Sequence, residues 1–150
     1  QWDCIFSFPP CTDLASSGAW CWERKGEEAL INALNLVQIT YEICQQATYW
    51  FIENPVGRLN THWRKPDYYF DPWEYAGYLE GRKRADNRYT KKTGIWSNFE
   101  KPHNKCILPY QGEKGKKIHL KSPGKDRAYF RSLTPTGWAQ AVFEFLRSDA

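Results

Sequence analysis

A chain of 150 residues is long enough for one domain with a core of its own and short for two. With 41% hydrophobic and 25% charged residues its composition is ordinary for a soluble globular protein, and it lacks the apolar run of about 18 residues that a membrane-spanning helix needs. The net charge of +4 is unevenly spread: between Arg58 and Arg131, 18 Lys/Arg stand against 8 Asp/Glu (+10), while the rest carries 3 against 9 (−6). A basic stretch beside an acidic remainder suggests an anionic partner, nucleic acid being the usual one, although a solvated surface has the same composition.

In chain order, Trp2 to Phe8 is apolar without clean alternation, as expected for an interior strand of a parallel sheet. Thr12 to Gly26 has the Ser and Gly content of a loop. Glu27 to Ala47 predicts a long helix, with Leu30, Ala33, Leu34, Val37, Tyr41 and Cys44 on one face. Ile31, Leu36, Ile39 and Ile43 are expected to widen that apolar surface. Thr48 to Glu53 predicts a second buried strand, ended by Asn54-Pro55. Strand, helix and strand make a βαβ unit, whose strands pair in parallel. In open α/β sheets ligands bind beyond the carboxyl ends of the strands, which here are "PPC" and "ENP".

Beyond Arg58 the segments "DYYFDPWEYAGY" and "TKKTGIWSNF" predict strands of a hairpin or meander around a charged turn, Glu80 to Arg88. Gln111 to Arg127 reads as a basic loop. Thr134-Pro135 is a helix start, and the helix is expected to run to about Arg147 with Trp138, Val142, Phe145 and Leu146 inward. The expected organisation is a single partial α/β domain over residues 1–150. A catalytic βαβ part spans 1–57, a basic β and loop region facing DNA spans 58–131, and a C-terminal helix spans 132–150.

Five cysteines, with no CxxC pair, argue against a zinc cluster, and the default compartment is the cytoplasm. Cys4, Cys44 and Cys106 fit a buried, inert role. Cys11 does not, because a position directly after Pro9-Pro10 is a stiff corner rather than a packing site. A thiolate there is a strong nucleophile whose direction the corner fixes. Glu53 ends an apolar strand, where loss of water favours a protonated carboxyl. A plain strand-end Glu is the simpler reading of that residue alone. Together the two would suit attack of a thiolate on C6 of a cytosine while an acid holds ring N3. In a duplex the base would first be flipped out.

"FPPCTDLASSG", "WFIENPVGRL", "YTKKTGIWSNF" and "RSLTPTGWAQAV", in that order, resemble the DNA (cytosine-5) methyltransferases, above all their divergent phage and bacterial members. The four segments span nearly the whole chain. The resemblance implies a Rossmann-like methyltransferase fold, S-adenosylmethionine as cofactor and DNA as partner, with no membrane and no metal. It implies Cys11 as nucleophile and Glu53 as the group activating N3, with Pro10 and Asn54 shaping the substrate site. Pro55 stands where the family's ENV motif has Val. Ser16 and Ser17 resemble the loop that closes on DNA.

Two family features are missing: the Gly-rich turn of the cofactor site, and the QxRxR motif, for which Arg58, Lys91 and Lys92 are the nearest basic stand-ins. Arg82, Lys83, Arg84 and Arg88 are expected phosphate contacts. The chain has no Met and opens directly into a strand at Gln1, so the cofactor-binding half is expected to be missing or supplied by a separate chain, the source being a phage or prophage in a bacterial host. Little methyl transfer is then expected from this chain alone. Two other functions fit the same residues: a non-catalytic DNA-binding or accessory protein on this scaffold, and another Cys-dependent pyrimidine-modifying enzyme. His62, His103 and His119 show no metal spacing, and Trp20, Trp22, Trp63, Trp73 and Trp96 are expected mostly in the core.

Overall fold

The strand–helix–strand pattern is present in the computed structural model of the chain, which describes residues 2–106, 129 and 132–149. β1 (Trp2–Ser7) and β2 (Ala47–Pro55) pair in parallel, with Ser7 opposite Ile52, and α1 (Trp22–Cys44) connects them. β3 (Tyr68–Phe70) and β4 (Thr93–Ser97) complete a four-stranded sheet of order β1-β2-β4-β3. The β2–β4 and β4–β3 pairings are antiparallel, so the sheet is mixed and the architecture α/β. β1 is therefore an outer strand of the described sheet rather than an interior strand of a parallel one, because β3 and β4 are added on the far side of β2.

Alternation along β2 sends Trp50 and Ile52 to one face of the sheet, where they meet α1. Leu14, Val37, Cys44, Trp50, Ile52, Leu59 and Trp96 form this core, with Ile5, Leu30, Ala33, Leu34, Tyr41 and Trp63 packed at its margin. The inward face of α1 is the predicted one. Ile31, Leu36, Ile39 and Ile43 do not widen it and are 44–54% exposed, because a straight helix lays one stripe on a sheet and these residues lie off that stripe. The predicted loop before the helix is also shorter. Ser16–Cys21 forms a 3-10 helix, and α1 begins at Trp22, interrupted at Gly26, whose φ of 73° is open to glycine and strained for other residues.

"DYYFDPWEYAGY" is a strand only over Tyr68–Phe70; Pro72–Tyr78 is a 3-10 helix. Asp71 and Glu74 form a reciprocal capping box around Pro72, which fixes a helical start where aromatic content suggested a strand. A one-turn helix, α2 (Leu59–His62), follows β2, and the charged turn is likewise a short helix, α3 (Gly81–Asp86). The last helix, α4 (Thr136–Asp149), buries Trp138, Ala141 and Val142, while Phe145 and Leu146 are half-buried. Its Gly137 lies against the Tyr75 carbonyl, where an added Cβ would sit 2.4 Å from that oxygen.

Residues 2–70 and 92–101 form one compact unit, and the described residues of 71–91 and 102–149 another. The predicted basic loop from 111 to 127 and His119 lie outside the described residues. Cys44 and Cys21 are buried, but Cys4 and Cys106 are exposed, contrary to the inert, buried role expected of both. Cys4 is exposed because it alternates with Ile5 along an outer strand and so lies on the face away from the core. Trp96 is in the core at 2% exposure, whereas Trp20 is 79% exposed, with the Arg24 guanidinium 5.5 Å from its ring. No helix among the described residues is long and apolar enough to cross a membrane.

Candidate active site

The parallel pairing sets the ends of β1 and β2 side by side, and side chains and backbone lace them together. The Asn54 amide donates from Nδ2 to the Pro9 carbonyl at 3.0 Å. Asn54 is fully buried, and its Oδ1 has no hydrogen-bond partner among the described residues. Pro9 is buried and Pro10 exposed. The Cys11 carbonyl accepts from the amides of Leu14 (3.1 Å) and Ala15 (2.8 Å), so the chain turns immediately after the prolines. Cys11 itself is partly exposed at that turn.

The next residues are tied to the segment that follows β2. Ser16 donates to the Val56 carbonyl from its amide (2.9 Å) and from Oγ (2.8 Å), and the Arg58 amide donates to the Leu14 carbonyl at 2.7 Å. Ala15 and Gly57 form an isolated antiparallel bridge. The two backbones are so close that a Cβ on Gly57 would lie 1.8 Å from the Leu14 carbonyl oxygen. Glycine is needed here for close approach, not for an unusual φ. Ser16, expected on a loop free to close on DNA, is instead anchored in this lacing, and Ser17 follows it in the 3-10 helix.

Glu53 projects to the face of β2 opposite Asn54. It is 7% exposed, and its register partner in β4 is the fully buried Ile95. The neighbouring residue on that face, Phe51, stacks on Phe6 with ring centroids 4.6 Å apart and meets Phe8 edge-on at 5.6 Å. Glu53 is buried as expected, but it lies inside β2 rather than at its end, because Asn54 and Pro55 continue the ladder opposite Gly94 and Thr93 of β4.

The basic stand-ins separate. Arg58 and Lys92 belong to the unit that holds Cys11 and Glu53, and Lys91 belongs to the other. The Lys92 ammonium lies 5.0 Å from the Tyr69 ring, and Lys91 donates to the Leu133 carbonyl at 3.2 Å. Arg82, Lys83, Arg84 and Arg88 are all in the second unit. Arg82 lies 3.8 Å from Asp86, and Arg84 donates from Nε to the Leu79 carbonyl at 2.6 Å, so Arg84 helps hold α3 in place.

One feature of the first unit has no sequence signal. An open concavity of about 400 Å³ is lined by Ser16, Trp22, Val56, Gly57, Arg58, Thr61 and His62. The Arg58 guanidinium lies over the Trp22 ring, 4.3 Å from its centroid. Trp22 Nε1 is buried and has no acceptor among the described residues.

The described residues do not fit S-adenosylmethionine. A Gly-rich turn from a parallel strand into a helix would be its cradle, but β1 runs out into Pro9-Pro10 and β2 has Asn54-Pro55 as its last two residues. No family model, no curated protein and no solved structure matches the chain.

Proposed function

We propose that this chain carries the cytosine-handling half of a DNA (cytosine-5) methyltransferase. The observation that carries this reading is the Asn54–Pro9 hydrogen bond across the parallel strand ends, which ties the Pro-Cys corner to the Glu-Asn strand end. In the proposed chemistry the Cys11 thiolate adds to C6 of an extruded cytosine. The C5=C6 pair shifts to C4=C5, and ring N3 takes a proton from Glu53. C5 is then an enamine carbon able to bond an electrophile. Loss of the C5 hydrogen as a proton, return of the N3 proton to Glu53 and expulsion of the thiolate restore the aromatic ring. The four ordered segments that resemble the family support the same reading. S-adenosylmethionine is the methyl donor this reading implies, and no step is assigned to it on the described residues.

The addition can be tested without a methyl donor, because the enamine takes a proton from water at C5. The chain should release tritium into water from single-stranded DNA labelled at cytosine C5. Cys11→Ser should abolish release, and Glu53→Gln should cut it by about a hundredfold or more. Release undiminished in Cys11→Ser, or none from the unmodified chain, would remove the proposed nucleophile.

A further inference from the structure

We propose that the concavity beside the strand ends is a phosphate site, which holds the polynucleotide backbone next to the base acted on. Only the identity of that base rests on the function proposed above; the site itself rests on its own chemistry.

Its lining offers donors and no carboxylate: the Arg58 guanidinium, the His62 imidazole and the Thr61 hydroxyl. Arg58 makes no ion pair within 4.0 Å among the described residues. Contact with the Trp22 ring holds the guanidinium plane in one orientation, which suits two-pronged contact with phosphate and lowers the cost of ordering the side chain. Thr61 and His62 are exposed and able to reach a ligand. At about 400 Å³ the space is far larger than a bare ion needs and suits a sugar-phosphate segment.

Location joins this site to the strand ends. Val56, Gly57 and Arg58 follow Asn54 directly, and Ser16 belongs to the turn after Cys11. The Ser16–Val56 and Arg58–Leu14 hydrogen bonds make the concavity wall and the strand-end lacing one rigid piece. A phosphate held by Arg58 would therefore keep a fixed position relative to the Pro-Cys corner. That is what a site for the linkage flanking a flipped nucleotide requires.

The test is fluorescence anisotropy with a short labelled DNA strand containing one cytosine, against the same strand with neutral methylphosphonates on both sides of that cytosine. The unmodified chain should prefer the charged strand by about tenfold, and its salt slope should fall by about one when Arg58 becomes Gln. Arg58→Gln should bind both strands alike, Arg58→Lys should keep part of the preference, and Thr61→Glu, an exposed change, should remove it by repulsion. A preference that survives in Arg58→Gln and Thr61→Glu, or none in the unmodified chain, overturns the site. So does an acidic peptide that competes as well as DNA. If a strand with thymine in place of the cytosine shows the same Arg58-dependent preference, the phosphate site stands and the cytosine reading fails.

Discussion

The two faces of the sheet are built differently. On the α1 face, Trp50, Ile52 and Trp96 sit at 0–6% exposure under a helix and form a closed core. On the opposite face Phe51 is buried at 3%, but the rings around it, Phe6 and Phe8, are 43% and 49% exposed. The first face is closed throughout. The second is closed at Phe51, Glu53 and Ile95 but keeps apolar surface within reach of solvent at Phe6 and Phe8. Consecutive residues of β2 thus divide the work: Asn54 turns toward the core side and fastens the Pro-Cys corner, and Glu53 turns the other way.

The division predicts unequal costs. Trp96→Ala should lower the unfolding free energy by about 3–5 kcal/mol in urea titration. Phe8→Ala, on the open face, should cost about 1 kcal/mol or less because its ring is half in water already; equal losses from the two would erase the distinction between the faces. Asn54→Ala should cost about 1–3 kcal/mol, since it strands the buried Pro9 carbonyl. It should also reduce tritium release well beyond what stability explains, and Asn54→Asp should not restore it, because a carboxylate cannot donate to Pro9. Release at the unmodified rate in Asn54→Ala would show that the lacing does not position the corner.

The smallest effect separates the thiols. Burial pushes the Cys44 thiol up from the ordinary range. The neutral thiol is the form the fold favours, so its contribution is fully present below the ordinary thiol range and fades as pH rises through it and beyond. Cys44→Ala should flatten that alkaline decline in unfolding experiments. With native protein, iodoacetamide should label Cys4 and Cys106 first and Cys11 next, leaving Cys21 and Cys44 until the chain unfolds; early labelling of Cys44 would contradict a closed core face.

The βαβ part was legible because local signals agree there. The apolar spacing from Leu30 to Cys44 and the β-forming run before Asn54 each point to one element, and a crossover of that length leaves only parallel pairing. The neighbouring placement of the Pro-Cys corner after β1 and of Glu53 near the end of β2 is legible for the same reason. The aromatic content of Pro72–Tyr78 suggests a strand, and the capping box that makes it helical shows in the sequence only as Asp71 and Glu74 flanking a proline. Nothing in the spacing of Ile39 and Ile43 tells how many stripes of a helix find a partner. The Trp22–Arg58 contact joins residues far apart in sequence, and no local pattern announces it.

Gly57 has a consequence for how such a chain varies over time. With the Leu14 carbonyl where the first carbon of any side chain would go, position 57 cannot drift by itself. A new residue there requires the turn after Cys11 to be rebuilt in the same step. In any set of natural variants, glycine at 57 and the length of the 11–16 turn should be inherited as one character, and a lineage that lost one would be expected to have lost the other.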